Sequence, residues 1–148
     1  MGRHISSQGR AGLWIMPKGT TINGEVYLKI LQEKLPTFMD LHNCNYFQHD
    51  GAPCHNVQTV KRFLAQSNFE LLQPWPGNLP DLNPIENCWI EVKKAVSAMK
   101  PTSIDDLVNK IKVAWTQKIS ADYCRQLCWS MPTRIHDVLN NKGLHSKY

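Results

Sequence analysis

The stretch PWPGNLPDLNP, residues 74–84, constrains the fold more than any other part of the chain. Its four prolines and one glycine fix backbone angles and remove amide donors, so neither a helix nor a central strand can run through it. It divides two kinds of sequence. Before it, short apolar runs alternate with segments of helical period: AGLWIMPKG (11–19), NYFQHD (45–50) and FELLQPW (69–75) read as strands. Between them, GEVYLKILQEKL (24–35) is a helix opened by Asn23 and closed by Pro36. VQTVKRFLAQS (57–67) is another, capped by Asn56, with Val57, Val60 and Leu64 on one face. After the proline loop only the helical period remains. Asn83 and Pro84 open a helix whose stripe of Ile85, Trp89, Val92 and Val96 is expected to pack on the sheet. Ser103 opens residues 104–118, Ser120 opens residues 121–131, and residues 133–143 end at a glycine. The alternation predicts an α/β layer architecture with a helical C-terminal third.

With 148 residues the chain is sized for one domain. Its +5 formal charge and pI near 9 favour a polyanionic partner, nucleic acid first. No apolar run approaches the ~20 residues of a membrane span, and the first ten residues have no apolar signal core, so a soluble chain without a membrane partner is expected. Five cysteines, an odd number without paired spacing, predict free thiols. Cys124 and Cys128 share a helical face with Leu127 and Met131, which suits core packing better than metal ligation. The six histidines lack metal-ligand spacing; His49 and His55 flank the turn at Asp50 and are candidates for touching a substrate.

Asp50 ends an aromatic run and precedes Gly51, Ala52 and Pro53, ordinary chemistry for a side-chain-closed turn. Glu86, with 35 residues between it and Asp50, stands in the first turn of the proline-led helix, where it could reach back to the Asn83 amide as a capping box. A helix start on a stiff loop is equally a precise mount for a reactive acid. Lys93 and Lys94, two turns further on, could hold a phosphate backbone or simply face solvent.

Together, HDGAPCH, ELLQPWPGNLPDLNPIENCW, VKKAV, YCRQLCWSMPTRI and KGLHSKY resemble the catalytic domain of mariner-type DDE transposases, from about residue 5 to the end. Leu79 departs from the small polar residue usual there. The resemblance implies a ribonuclease-H-like fold, here a truncated one with a short mixed sheet flanked by helices. It makes Asp50 and Glu86 the second and third of three acids that hold two Mg²⁺ (or Mn²⁺) ions, and it implies DNA cleavage and joining at transposon ends. In such chemistry one ion generates the attacking hydroxide and the other stabilises the leaving oxygen. Lys93, Lys94 and His55 are the corresponding candidates for DNA contact.

The family's first acid ends an early strand, yet Glu25, Glu33 and Asp40 are the only acids before Asp50, and none follows such a strand. Residues 1–148 therefore read as a partial DDE domain that enters the pattern at its second strand, without the first strand and the preceding helix-turn-helix domains. The expectations that follow are weak Mg²⁺ binding, no cutting by this chain alone, possible self-association and, from the DNA substrate, a nuclear location. A noncatalytic nucleic-acid-binding or interaction module derived from a transposase is the alternative.

Overall fold

Asn23 accepts a hydrogen bond from the Val26 amide (2.9 Å) and opens α1, Gly24–Leu41, in the computed structural model, which describes residues 4–17, 19–73 and 82–141. Pro36 was expected to close this helix, yet it lies inside it. The reason is the stripe that continues past it. Phe38 and Met39 are buried along with Ile30, Leu31 and Leu35, and burying each is worth ~2 kcal/mol. That outweighs the ~3 kcal/mol of an interior proline, whose ring lies on the exposed face. The helix ends at His42; Asn43 takes the left-handed conformation (φ 46°) that asparagine tolerates at such a stop.

The described chain divides into two compact units, Met16–Asn78 and Met1–Ile15 with Leu79–Tyr148. In the first, β3 (Tyr46–Phe47) pairs parallel with β4 (Glu70–Leu71), joined through a 3₁₀ turn at Pro53–His55 and α2, Gln58–Ala65. Both strands fall within the expected runs but are shorter; Trp75 and the proline loop up to Asp81 lie outside the described residues. Val60 and Leu64 of α2 are buried as the spacing predicted. Asn56 does not cap α2, however. Its amide donates back to the Gly51 and Ala52 carbonyls (3.1 and 3.4 Å), and Val57 is the cap residue instead. Gly24 is required here, because a Cβ on it would lie 2.6 Å from a Val57 methyl.

In the second unit β1 (Ile5–Ser6) and β2 (Gly9–Arg10) form an antiparallel hairpin that packs on α5, Ala121–Trp129. Among the described residues of 11–19 only a single-residue bridge at Trp14 stands in place of the expected strand; the strands lie just upstream. Pattern reading passed over them because their covered residues are Ser6 and Gly9, not large apolar side chains. Helices α3 (Pro84–Ala98), α4 (Ile104–Lys118) and α6 (Met131–Asn140) complete the unit. The caps at Ser103 and Ser120 form as expected, on the amides of Asp106 and Tyr123 (3.1 Å each). The apolar stripe of α3 packs on α4 and α5, not on a sheet: Cys88, Val92 and Val96 share a core with Ala114, Trp115, Ile119, Cys124 and Leu127. Trp89 and Trp115 meet at 6.4 Å between ring centroids. Cys124 is fully buried there, as a core thiol, and burial raises its pKa. Residues 142–148, with the expected glycine stop, lie outside the described residues. Among the described residues no helix is long and apolar enough to cross a membrane.

Candidate functional site

Asp50 sits where the chain leaves β3 and turns back toward α2. Its Oδ1 accepts from the Ala52 amide (3.0 Å), the side-chain-closed turn expected from sequence, and from His55 Nδ1 (2.8 Å). The same His55 nitrogen lies 3.2 Å from the Asp50 carbonyl, so one N–H is shared between two oxygens. The His55 side chain is only 16% exposed, against 54% for Asp50. Its ring stacks on Tyr27 (3.9 Å) and His49 (5.0 Å, 6° between planes). The Tyr27 hydroxyl lies 3.0 Å from His49 Nδ1.

Burial and the neighbouring His55 lower the His49 pKa to about 4, against a smaller opposite pull from Asp50. Burial, then the charges of Asp50 and Cys54, push the Tyr27 phenol well above its usual range. At neutral pH a protonated phenol therefore donates to a neutral imidazole. The stack braces His55, and His55 with the Ala52 amide fixes one oxygen of Asp50. The other oxygen has no hydrogen-bond partner among the described residues.

Glu86 stands on a different kind of support. Asn83 caps α3 by accepting from the Ile85 amide (3.3 Å), but among the described residues the Glu86 carboxylate accepts nothing, so the capping box is not closed. The carboxylate is exposed. The next residue is anchored from across the core: Arg134 of α6, 2% exposed, donates through Nη1 to Asn87 Oδ1 (2.9 Å) and through Nε to Ser130 Oγ (2.7 Å). Tyr123 also approaches the Asn87 carbonyl (3.5 Å). Neither Arg134 nor Asn87 was singled out from sequence. The signal was an arginine four residues before Val138, on the buried stripe of α6.

Lys93 and Lys94 are both exposed on α3, and Lys94 is paired with Glu91 (2.9 Å). Asp50 is thus brought together with His55, and Glu86 shares a helix with Lys93 and Lys94. Asp50 and Glu86 belong to different units, and each mount is built within its own. Among the described residues no group of three His, Cys, Asp or Glu side chains is assembled that could hold a metal ion. The free carboxylate oxygens fit Mg²⁺ or Mn²⁺ in kind, since both ions take hard oxygen donors.

Residues 6–108 match the family described as DDE superfamily endonuclease. The chain belongs to that family. The Tc1 transposase of Caenorhabditis elegans is 32% identical over 102 residues, which are 69% of this chain and 37% of the relative. The chain thus spans little more than a third of that relative's length. The catalytic domain of the Mos1 mariner transposase, also solved with Mn and with Mg, superposes with a TM-score of 0.76 at 22% identity, covering 95% of this chain and 72% of that one. The Mos1 strand transfer complex gives 0.79 at 20% identity, over 95% of this chain and 42% of that one. These likenesses show a mariner/Tc-like DDE domain with the ribonuclease-H-like fold.

Proposed function

We propose that this chain supplies the second and third acids, Asp50 and Glu86, of a DNA-cutting and DNA-joining centre, and that residues 1–148 alone do not cut DNA. The observation that carries this is the state of the two carboxylates. Asp50 stands three residues past β3 and Glu86 in the first turn of α3, both inside the family match, and each has carboxylate oxygen without a hydrogen-bond partner among the described residues. Asp50 and Glu86 would hold Mg²⁺ or Mn²⁺, as solved structures of Mos1 with either metal support. A bound ion supplies activation of water and neutralisation of charge on the leaving oxygen. The chain's own part is to hold Asp50 in one rotamer through His55 and to keep α3 fixed through Arg134. With two carboxylates the rest of an octahedral shell falls to water, so binding by this chain is weak.

DNA is the substrate, and its backbone meets the exposed face of α3 that carries Lys93; His55, largely covered, acts on DNA through Asp50. The substrate implies a nuclear location. Short strand edges of this kind favour self-association. Incubating residues 1–148 with supercoiled plasmid and Mn²⁺ or Mg²⁺ should leave the plasmid intact. Metal-dependent nicking that is lost in both Asp50→Asn and Glu86→Gln would overturn the inactivity. A second reading, a DNA-binding module without chemistry, is favoured by the absence of a three-ligand cluster among the described residues. It predicts duplex binding that is indifferent to both substitutions and to added metal.

A further inference from the structure

The cations of the helical unit fall into two groups. Lys94, Lys110 and Arg125 each pair with an acid three or four residues back on their own helix: Glu91, Asp106 and Asp122. Among the described residues Lys93, Lys100, Lys112 and Lys118 are exposed and have no carboxylate partner, and of these Lys93 and Lys100 are the two on or next to the helix of Glu86. Their places are related to Glu86. Seven residues advance an α-helix by almost two whole turns, so Glu86 and Lys93 lie on one line along α3, about 10 Å apart, and Lys100 follows just past the helix end. Exposed Ile90 and Ser97 lie on the same line, and no second acid does. Lys94 is turned about 100° away from Lys93.

Lys100 is also held in an unusual way. It lies just past the cap residue Met99 with φ 47°, the left-handed conformation that glycine or asparagine ordinarily occupies at a helix end. The turn beyond is closed from several sides. Asp106 accepts from the Thr102 amide (2.8 Å), the Thr102 hydroxyl (3.2 Å) and Lys110 Nζ (2.7 Å), and Lys110 in turn donates to the Lys100 carbonyl (3.3 Å). These contacts fix the backbone of Lys100 while its side chain remains in solvent. A lysine at a position that favours glycine is a strain with no evident structural return, and such outliers mark binding positions.

We propose that Lys93 and Lys100 form a two-cation track that carries the phosphodiester backbone of a DNA strand away from Glu86, with Lys94 outside it. This rests on the DNA-binding reading above and names the residues that serve it. Lys93 on the exposed line and Lys100 just past the helix end offer positive charge beyond Glu86, the sole acid of that line.

The test is the salt dependence of binding of residues 1–148 to a fluorescent duplex of about 30 base pairs, measured by anisotropy between 50 and 200 mM KCl. Each of Lys93→Ala and Lys100→Ala should make the slope of log K against log salt shallower by about 1, the two effects should add, and the loss should be alike on unrelated sequences. Lys94→Ala should leave the slope unchanged. Lys100→Gly separates binding from folding: it should raise the melting temperature by relieving the left-handed lysine and still lose one unit of slope. A wild-type slope in Lys100→Gly and Lys100→Ala, or an equal loss in Lys94→Ala, overturns the track while leaving DNA binding intact. A wild-type protein that binds no duplex even at 50 mM KCl overturns the DNA-binding reading itself.

Discussion

Asp50 and Glu86 are two carboxylates of one family motif, and the chain holds them by opposite means. Asp50 is fixed by its own neighbourhood: the Ala52 amide, His55 five residues on, and a stack of His55, His49 and Tyr27. Glu86 has no local hydrogen bond among the described residues and depends on a helix anchored by Arg134, 47 residues from Asn87. A turn fixed by local bonds can adjust without unfolding the unit around it. A helix start anchored through a buried guanidinium moves only with the core, which makes it the stiffer mount and the more fragile one.

The sharpest way to break this contrast is Arg134→Met. Removing the guanidinium leaves the part-buried Asn87 Oδ1 without its donor and Ser130 Oγ with only its bond to the Leu127 carbonyl, at roughly 2 kcal/mol in all. Urea unfolding followed by tryptophan fluorescence should show that loss, whereas His55→Ala, which removes a part-exposed pair, should cost about 1 kcal/mol or less. Equal losses would erase the distinction between the mounts.

The next largest effect falls on the Asp50 side. Gly24→Ala places a methyl 2.6 Å from Val57, at the point where the loop after Asp50 enters α2. Overpacking of this kind costs about 1–3 kcal/mol. Val57→Ala in the same chain should recover most of it, and a double variant no more stable than Gly24→Ala alone would show that the contact is not the cause.

Much of this was legible in the sequence for one physical reason: local signals describe local devices. The Asp50 turn and the caps at Asn23, Asn83, Ser103 and Ser120 are bonds spanning two or three residues, and each formed. Apart from the Asn56 cap, which gave way to bonds from Asn56 back to Gly51 and Ala52, what failed needed tertiary information. Pro36 is a breaker by local rules and was overridden by the burial of Phe38 and Met39. The stripe of Val92 and Val96 was evident, but its partner, α4 in place of a sheet, was not. The β1–β2 hairpin is invisible to hydrophobic pattern because it covers Ser6 and Gly9. Arg134 shows the same limit at the site: an arginine reads as surface until its buried acceptors are known.

A smaller effect is set by pH. His49 has a folded pKa of about 4 against 6.5 in the unfolded chain, so between these values the unfolded state binds more protons. Stability is fully present above pH 6.5 and is lost as pH falls toward 4. A shift of that size, fully felt, would be worth roughly 3 kcal/mol, but the ring is part-exposed, and screening reduces this to about 1 kcal/mol. His4 in the other unit is lowered to about 4 by burial alone and acts in the same direction. Melting from pH 7 to 4 should flatten partially in His49→Gln and partially in His4→Gln. If His49→Gln alone removed the whole dependence, the Asp50 side would be the only pH-sensitive mount.

The smallest expected effect is the most specific to the comparison. Asn83 and Asn56 are both asparagines beside a site acid, but Asn83 contributes a single long cap bond (3.3 Å), while Asn56 bonds two carbonyls of the turn that follows Asp50. Asn83→Ala should cost about 0.5 kcal/mol, at the low end for a lost cap, because Arg134 still holds the adjacent Asn87. Asn56→Ala should cost about 1 kcal/mol globally, yet it should loosen the turn far more than that figure suggests, since nothing outside the loop replaces its bonds to Gly51 and Ala52. Amide hydrogen exchange distinguishes the two. The Ala52 amide, bonded to Asp50 Oδ1, should lose protection in Asn56→Ala, while in Asn83→Ala the Ile85 amide loses its acceptor directly and the Glu86 amide, bonded to the Asn83 carbonyl, should change little. Protection lost at Glu86 but kept at Ala52 would reverse the assignment and make the Asp50 turn the stiffer of the two mounts.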